Sequence, residues 1–152
     1  MADVGPPTGD PAPVKPDDRE LRALLGSART IAVVGLSSRP DRPSHDVAAY
    51  LQSHGYRIVP VNPNEREVLG ERAYPSLRDI PPEIGVDVVD VFRRAEHASE
   101  IARDAVAIGA KALWLQQGIV DDEAYRIASA AGLDVVMGIC IRTTKRRLDE
   151  ED

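Results

Sequence analysis

One cysteine, Cys140, stands in a chain of 152 residues, which leaves no intrachain disulfide and no cysteine-rich zinc site. A basic excess is missing too. The net charge is −6, whereas a general binder of nucleic acid or of a membrane surface needs positive charge to meet phosphate. No apolar run approaches the ~18 residues that cross a bilayer, and the N-terminus shows neither a basic nor an apolar leader segment. Nucleic acid and membrane are therefore not expected partners, and the expected location is the cytoplasm. Also absent are a G-x-S-x-G elbow, an H-E-x-x-H pair and any carboxylate pair with readable spacing. The three histidines, His45, His54 and His97, fall in expected helices. No catalytic or metal-binding set is expected.

What is present reads as one domain. A chain of this length buries close to ~70% of the surface that its unfolded form exposes. Residues 1–16 carry five prolines and read as a disordered arm, residues 149–152 as an acidic solvated tail, and residues 17–148 as the domain. Asp17 or Asp18 caps a first helix bearing Leu21, Leu24 and Leu25, with Gly26 just past its end. A pattern then recurs three times: an amphipathic stretch, a glycine, and a continuous apolar run. Gly55 leads into Ile58-Val59-Pro60-Val61, Gly109 into Ala112-Leu113-Trp114-Leu115, and Gly132 into Val135-Val136-Met137. The runs do not alternate apolar with polar, as expected of strands buried on both faces of a parallel sheet. Ile31–Val34 and Val86–Val91 supply two more strands. Pro60 suits an edge strand or a strand end. The expected fold is α/β: a Rossmann-like, doubly wound, mainly parallel sheet of about five strands flanked by helices. The stretch 62–82 reads as a long surface connection with at most a short strand or helical turn.

In such a fold ligands sit beyond the C-terminal strand ends. The first strand runs into Gly35-Leu36-Ser37-Ser38-Arg39, followed by Arg42 and Ser44. Gly35 allows a close backbone approach to phosphate, Ser37 and Ser38 offer hydroxyls, Arg39 and Arg42 add charge, and Ser44 is expected to cap the next helix. There is no G-x-G-x-x-G, and the second strand ends at Val61-Asn62-Pro63, where an NAD site usually holds an acid for the ribose diol. Coenzyme A, with its 3′-phosphate and diphosphate, suits these arginines better than NAD, while NADP stays open. Val91, Phe92 and Arg93 stand at a third rim. At a fourth, Gln116 and Gly118 offer groups for an adenine edge or a pantetheine amide.

These phrases, with Gly70-Glu71-Arg72-Ala73-Tyr74-Pro75-Ser76-Leu77, Val88–Arg93, Leu113–Gln116 and Cys140-Ile141, resemble the small CoA-binding proteins of the CoA-binding-domain superfamily. Those proteins are relatives of the CoA-binding part of the succinyl-CoA synthetase alpha subunit. The resemblance covers roughly residues 20–148. It implies CoA lying across the strand ends, with Gly35, Ser37 and Arg39 at the phosphates, Val61 and Pro63 flanking the adenosine, and Val91 to Arg93 lining the cofactor's route. The expected function is binding of CoA or an acyl-CoA by a non-catalytic carrier, sensor or regulatory protein. The alternative is an NADP-dependent oxidoreductase or a component of a CoA-transforming enzyme. A homodimer is left open. Cys140, after the last strand, reads as a buried apolar residue or as a thiol that could join CoA in a mixed disulfide. Arg142, Lys145 and Arg146 stand close enough in sequence to lower its pKa.

Overall fold

Asp17 starts the first helix by a reciprocal pair of bonds: its carboxylate accepts the Glu20 N–H, and the Glu20 carboxylate accepts the Asp17 N–H. That helix, α1 (Asp18–Ser27), buries Leu21, Leu24 and Leu25. It runs through Gly26, which the sequence placed just beyond its end. The computed structural model describes residues 14–151. Most of the expected N-terminal arm thus lies outside the described residues, but Val14 already exchanges backbone hydrogen bonds with Met137.

The recurring glycine-and-apolar phrases become parallel strands. β1 (Thr30–Val34), β2 (Arg57–Val61), β5 (Val88–Val91), β6 (Ala112–Leu115) and β7 (Asp134–Met137) form one five-stranded sheet in the order β2-β1-β5-β6-β7, every pair parallel. Helices α2 (Pro43–Ser53), α3 (Ala98–Ala107), α4 (Asp122–Ala130) and α5 (Ile141–Glu150) complete the layers. Ile31, Val33, Ile58, Val88, Trp114 and Val136 pack with residues of α1, α2 and α5. Ala32, Val34, Val59, Val61, Val89, Val91 and Leu115 pack with α3 and α4 on the opposite face. The absence of alternation in these strands follows from this double burial. The last helix takes in Asp149 and Glu150, the first half of the expected acidic tail.

Pro60 finds the setting its missing donor requires. β2 is an edge strand, and the Pro60 carbonyl points outward, where it accepts the Tyr74 N–H; no ladder bond to β1 is lost. The stretch expected to be an irregular connection contains a hairpin, β3 (Glu67–Val68) with β4 (Glu71–Arg72). Its turn, Leu69-Gly70, has positive φ at both residues (56° and 76°), as primed hairpin turns do. The Gln52 amide donates to the Leu69 carbonyl at 3.0 Å and holds that turn against α2.

The strand expected from residue 86 begins at Val88, because Asp87 is engaged elsewhere. Its carboxylate accepts the N–H groups of Arg29 at 2.8 Å and Thr30 at 3.0 Å. Partial burial pushes the Asp87 pKa up, but these two N–H groups and the Lys111 ammonium outweigh it and hold it below the ordinary carboxylate value. The stabilisation is present above the unfolded-state pKa of about 3.9 and disappears as pH falls through the lower folded-state value. Asp87→Ala should cost about 1–3 kcal/mol at neutral pH. In urea titrations across the acid range, its deficit against the wild type should close as Asp87 becomes protonated.

Candidate functional site

The chain leaves β1 for α2 on one face of the sheet and leaves β5 for α3 on the other. Between these neighbouring strands the loops diverge and a crevice opens at their C-terminal ends. Hydrogen bonds continue one residue past each strand: Gly35 N–H to the Val61 carbonyl (2.8 Å), Phe92 N–H to Val34 (2.9 Å) and Gln116 N–H to Val91 (3.2 Å). The loop starts are therefore aligned along one rim. Gly35 has φ 88°, and a Cβ placed on it would lie 2.9 Å from the Phe92 carbonyl oxygen. The two backbones meet where only glycine fits.

Beyond Gly35 the loop is held by its own serines. The Ser44 hydroxyl accepts the Ser37 N–H (3.1 Å), and the Ser37 hydroxyl accepts the Arg39 N–H (3.1 Å). The Ser38 N–H is bound by the Glu65 carboxylate at 2.8 Å, so this turn already holds one anionic oxygen. Asn62 donates to the Leu36 carbonyl (3.1 Å) and ties the end of β2 to the same loop.

Arg93 and Phe92 point to opposite sides. On the α3 side a cleft of about 270 Å³ is lined by Val34, Val61, Pro63, Ser76, Arg93 and His97, among others. Arg93 makes no ion pair among the described residues. On the α2 side Phe92 borders a second cleft, about 330 Å³, with Pro43, Val47, Gln116, Gln117 and Cys140. Cys140 precedes α5 directly, where free N–H groups favour negative charge. Burial pushes its thiol pKa up. Hydrogen bonds from the Thr143 backbone, the Gln116 amide, the Thr143 hydroxyl and the Arg142 backbone outweigh this and hold it below the ordinary thiol value. The Gln116 carbonyl oxygen in turn accepts the Ile141 N–H at 3.1 Å.

Residues 29–145 match the CoA binding domain family. The chain belongs to that family. It is 43% identical over 127 residues to the uncharacterized protein YneT of Bacillus subtilis, covering 84% of this chain and 93% of YneT. A hypothetical protein from Pyrococcus horikoshii OT3 has the same fold, with a TM-score of 0.85 at 37% identity over 93% of this chain and 99% of the other. A part of acetate–CoA ligase (ADP-forming) II of Archaeoglobus fulgidus is 34% identical over 74 residues, which is 47% of this chain and 11% of the ligase.

Within this CoA binding domain the expected site residues divide by what they expose. Gly35, Ser37, Ser38, Arg39, Pro63, Phe92, Arg93 and Gln116 stand around the crevice or its two clefts. Gly118 lies in the loop after β6 with open space at its Cβ position. Leu36 and Val91 are fully buried in the core, so only their backbone atoms reach the rim. Val61 is nearly buried but lines the first cleft. Ser44 is not the helix cap. Pro43, with φ preset for a first helical position, moves the cap to Arg42 and leaves Ser44 inside the first turn, its hydroxyl turned back to Ser37. Arg42 is exposed at that cap and makes no ion pair among the described residues.

Of the basic side chains expected to lower the Cys140 pKa, Arg142 pairs with Asp46 and Lys145 with Asp149, and neither of these charges nor that of Arg146 is among the causes of the shift. His97, expected inside a helix, ends a 3-10 turn and faces the first cleft. Sequence reasoning also missed Ser76 and Thr143, which reach the two clefts by tertiary packing alone. Gly35→Ala should lower stability by about 1–3 kcal/mol, because it joins a strained φ to a backbone clash. Gly26→Ala, in open space inside α1, should raise it by about 0.5–1 kcal/mol. Chemical denaturation of the two variants checks both signs.

Proposed function

We propose that this protein binds coenzyme A or an acyl-CoA across the crevice between β1 and β5, as a carrier, sensor or regulatory protein without turnover of its own. The observation that carries this reading is the close meeting of Gly35 and Phe92, with Arg93, which makes no ion pair among the described residues, on one side and an amide-lined cleft on the other. In this reading the backbone N–H groups of Gly35 to Arg39 receive the diphosphate, with Glu65 giving way to it. The first cleft takes the adenosine between Val61 and Pro63, with Arg93 set to meet phosphate by charge-assisted hydrogen bonds. The second cleft receives the pantetheine arm, whose amides find Gln116 and Gln117, and its sulfur lies toward Cys140. Asn62 fits a phosphorylated ribose, because it brings no negative charge to the end of β2. Two carboxylates oppose an anion at the loop: Asp41, which leans on Arg39, and Glu65, which is partly exposed.

The Archaeoglobus relative is an acetate–CoA ligase, and the matched part corresponds to 11% of that ligase's length. A free thiol and the absence, among the described residues, of any helix long and apolar enough to cross a membrane suit a cytoplasmic protein.

Isothermal titration tests the reading. CoA should bind more tightly than dephospho-CoA, and both more tightly than NAD or NADP. Arg93→Ala should weaken CoA binding about tenfold or more, the loss of one charge-assisted hydrogen bond, with an unchanged melting temperature. Arg39→Ala should have a smaller effect, because Arg39 is exposed and leans on Asp41 at 3.5 Å. Tight NADP binding with no affinity for CoA would overturn the proposal.

A further inference from the structure

Asp90 is the one carboxyl group of the described residues that is fully buried, and neither of its oxygens has a hydrogen-bond partner. Such a group is costly and calls for a reason. It sits in the middle of the sheet, paired in register with Val33 and Trp114. It alternates with Val89 and Val91, so it shares the face of Val33, Trp114 and Cys140. Cys140 packs against the buried cluster that holds Val33 and Trp114, the two register partners of Asp90. Cys140 is half-buried and borders both the second cleft and a neighbouring one lined by Gln117, Gly138 and Thr143. A half-buried thiol that borders two clefts, on the sheet face that also carries an unpartnered carboxyl, is more than an inert core cysteine.

We propose that Cys140, backed by Asp90, is a thiol–disulfide exchange site for the oxidised, disulfide form of the CoA-type ligand. This rests on the binding reading above and adds a covalent step to it. The Cys140 thiolate attacks one sulfur of the ligand disulfide. A bond forms from Sγ to that sulfur, the ligand's own S–S bond breaks, and the other half leaves as a thiolate. That thiolate takes up one proton, the one the Cys140 thiol gave up, so the exchange needs no further oxidant or reductant. Asp90 is a positioning residue. Burial raises its pKa well above the ordinary carboxylate value and favours the neutral acid, while hydrogen bonds favour the thiolate of Cys140. The other charged groups near the thiol are Arg142 of α5, neutralised by Asp46 of α2, and Lys15 and Arg147 beside the neighbouring cleft.

The test is intact-mass analysis of the full chain incubated with CoA disulfide, beside calorimetry with reduced CoA. One CoA adduct is expected, reversed by dithiothreitol and lost in Cys140→Ser. Hydroxyethyl disulfide, which lacks the nucleotide, should react at least tenfold more slowly. Binding of reduced CoA without any adduct overturns this proposal and leaves the binding reading intact; no binding of CoA overturns the reading itself. Equal rates with the two disulfides mean a merely accessible thiol and also overturn the proposal. For Asp90, the rate of adduct formation against pH should show two inflections in the wild type and one in Asp90→Asn. Thiolate absorbance of the wild type alone should show the same two steps, and a single step there removes Asp90 from the site.

Discussion

A glycine at the end of β1 lets two backbones touch at the place where the chain reverses its direction of travel across the sheet. Gly35 donates its N–H to Val61 on one side, while the carbonyl of Phe92 approaches it on the other. Three strand ends, those of β2, β1 and β5, are thereby held at one level. A side chain at position 35 would need a strained φ and would push the β5 loop away. The serine-rich turn and the arginines around it depend on that level rim. Ser44 can reach Ser37, and Asn62 can reach Leu36, only because the loop leaves β1 at this height.

The same contact divides the crevice. Phe92 and Arg93 are consecutive, and consecutive side chains leave an extended backbone on opposite faces. One cleft therefore receives an aromatic ring and the other a guanidinium. A ligand with a charged nucleotide at one end and a long neutral arm at the other matches that division. A dinucleotide with two charged, ring-bearing halves matches it less well. Both sheet edges are covered near their C-terminal ends, β2 by Tyr74 and β7 by Val14.

The fold was legible because burial on both faces writes itself into a sequence as unbroken apolar runs, and glycines mark the helix ends before them. The rim was legible in outline for the same reason: a strand end followed by glycine and serines has few other uses in this fold. What escaped reading depended on partners distant in sequence. The hairpin of β3 and β4 is held by Gln52 from α2, and Tyr74 by backbone groups of β2; nothing in residues 62–82 announces either. Ser44 was misjudged because Pro43 competes for the start of the helix and wins. Leu36 and Val91 were read as contacts because a rim position does not reveal which way a side chain turns. The acidity of Cys140 was traced to neighbouring cations, whereas its cause is the set of N–H and hydroxyl donors that the helix start and Gln116 bring to it.

Asp87 and Asp90 show the limit most clearly. They stand three residues apart in the run Val86-Asp87-Val88-Val89-Asp90-Val91, and nothing local separates them. Asp87 reaches the N-terminal end of the sheet, gathers two backbone N–H groups and a lysine, and contributes to stability as a carboxylate. Asp90, in mid-strand, gathers none. Replacing a buried, unpartnered carboxyl with an apolar residue of similar size removes a desolvation cost, so stability alone argues against keeping it. A group that folding disfavours must be accounted for by what lies next to it. On its face of the sheet it lies between Val33 and Trp114, and Cys140 packs against that same cluster beside the second cleft.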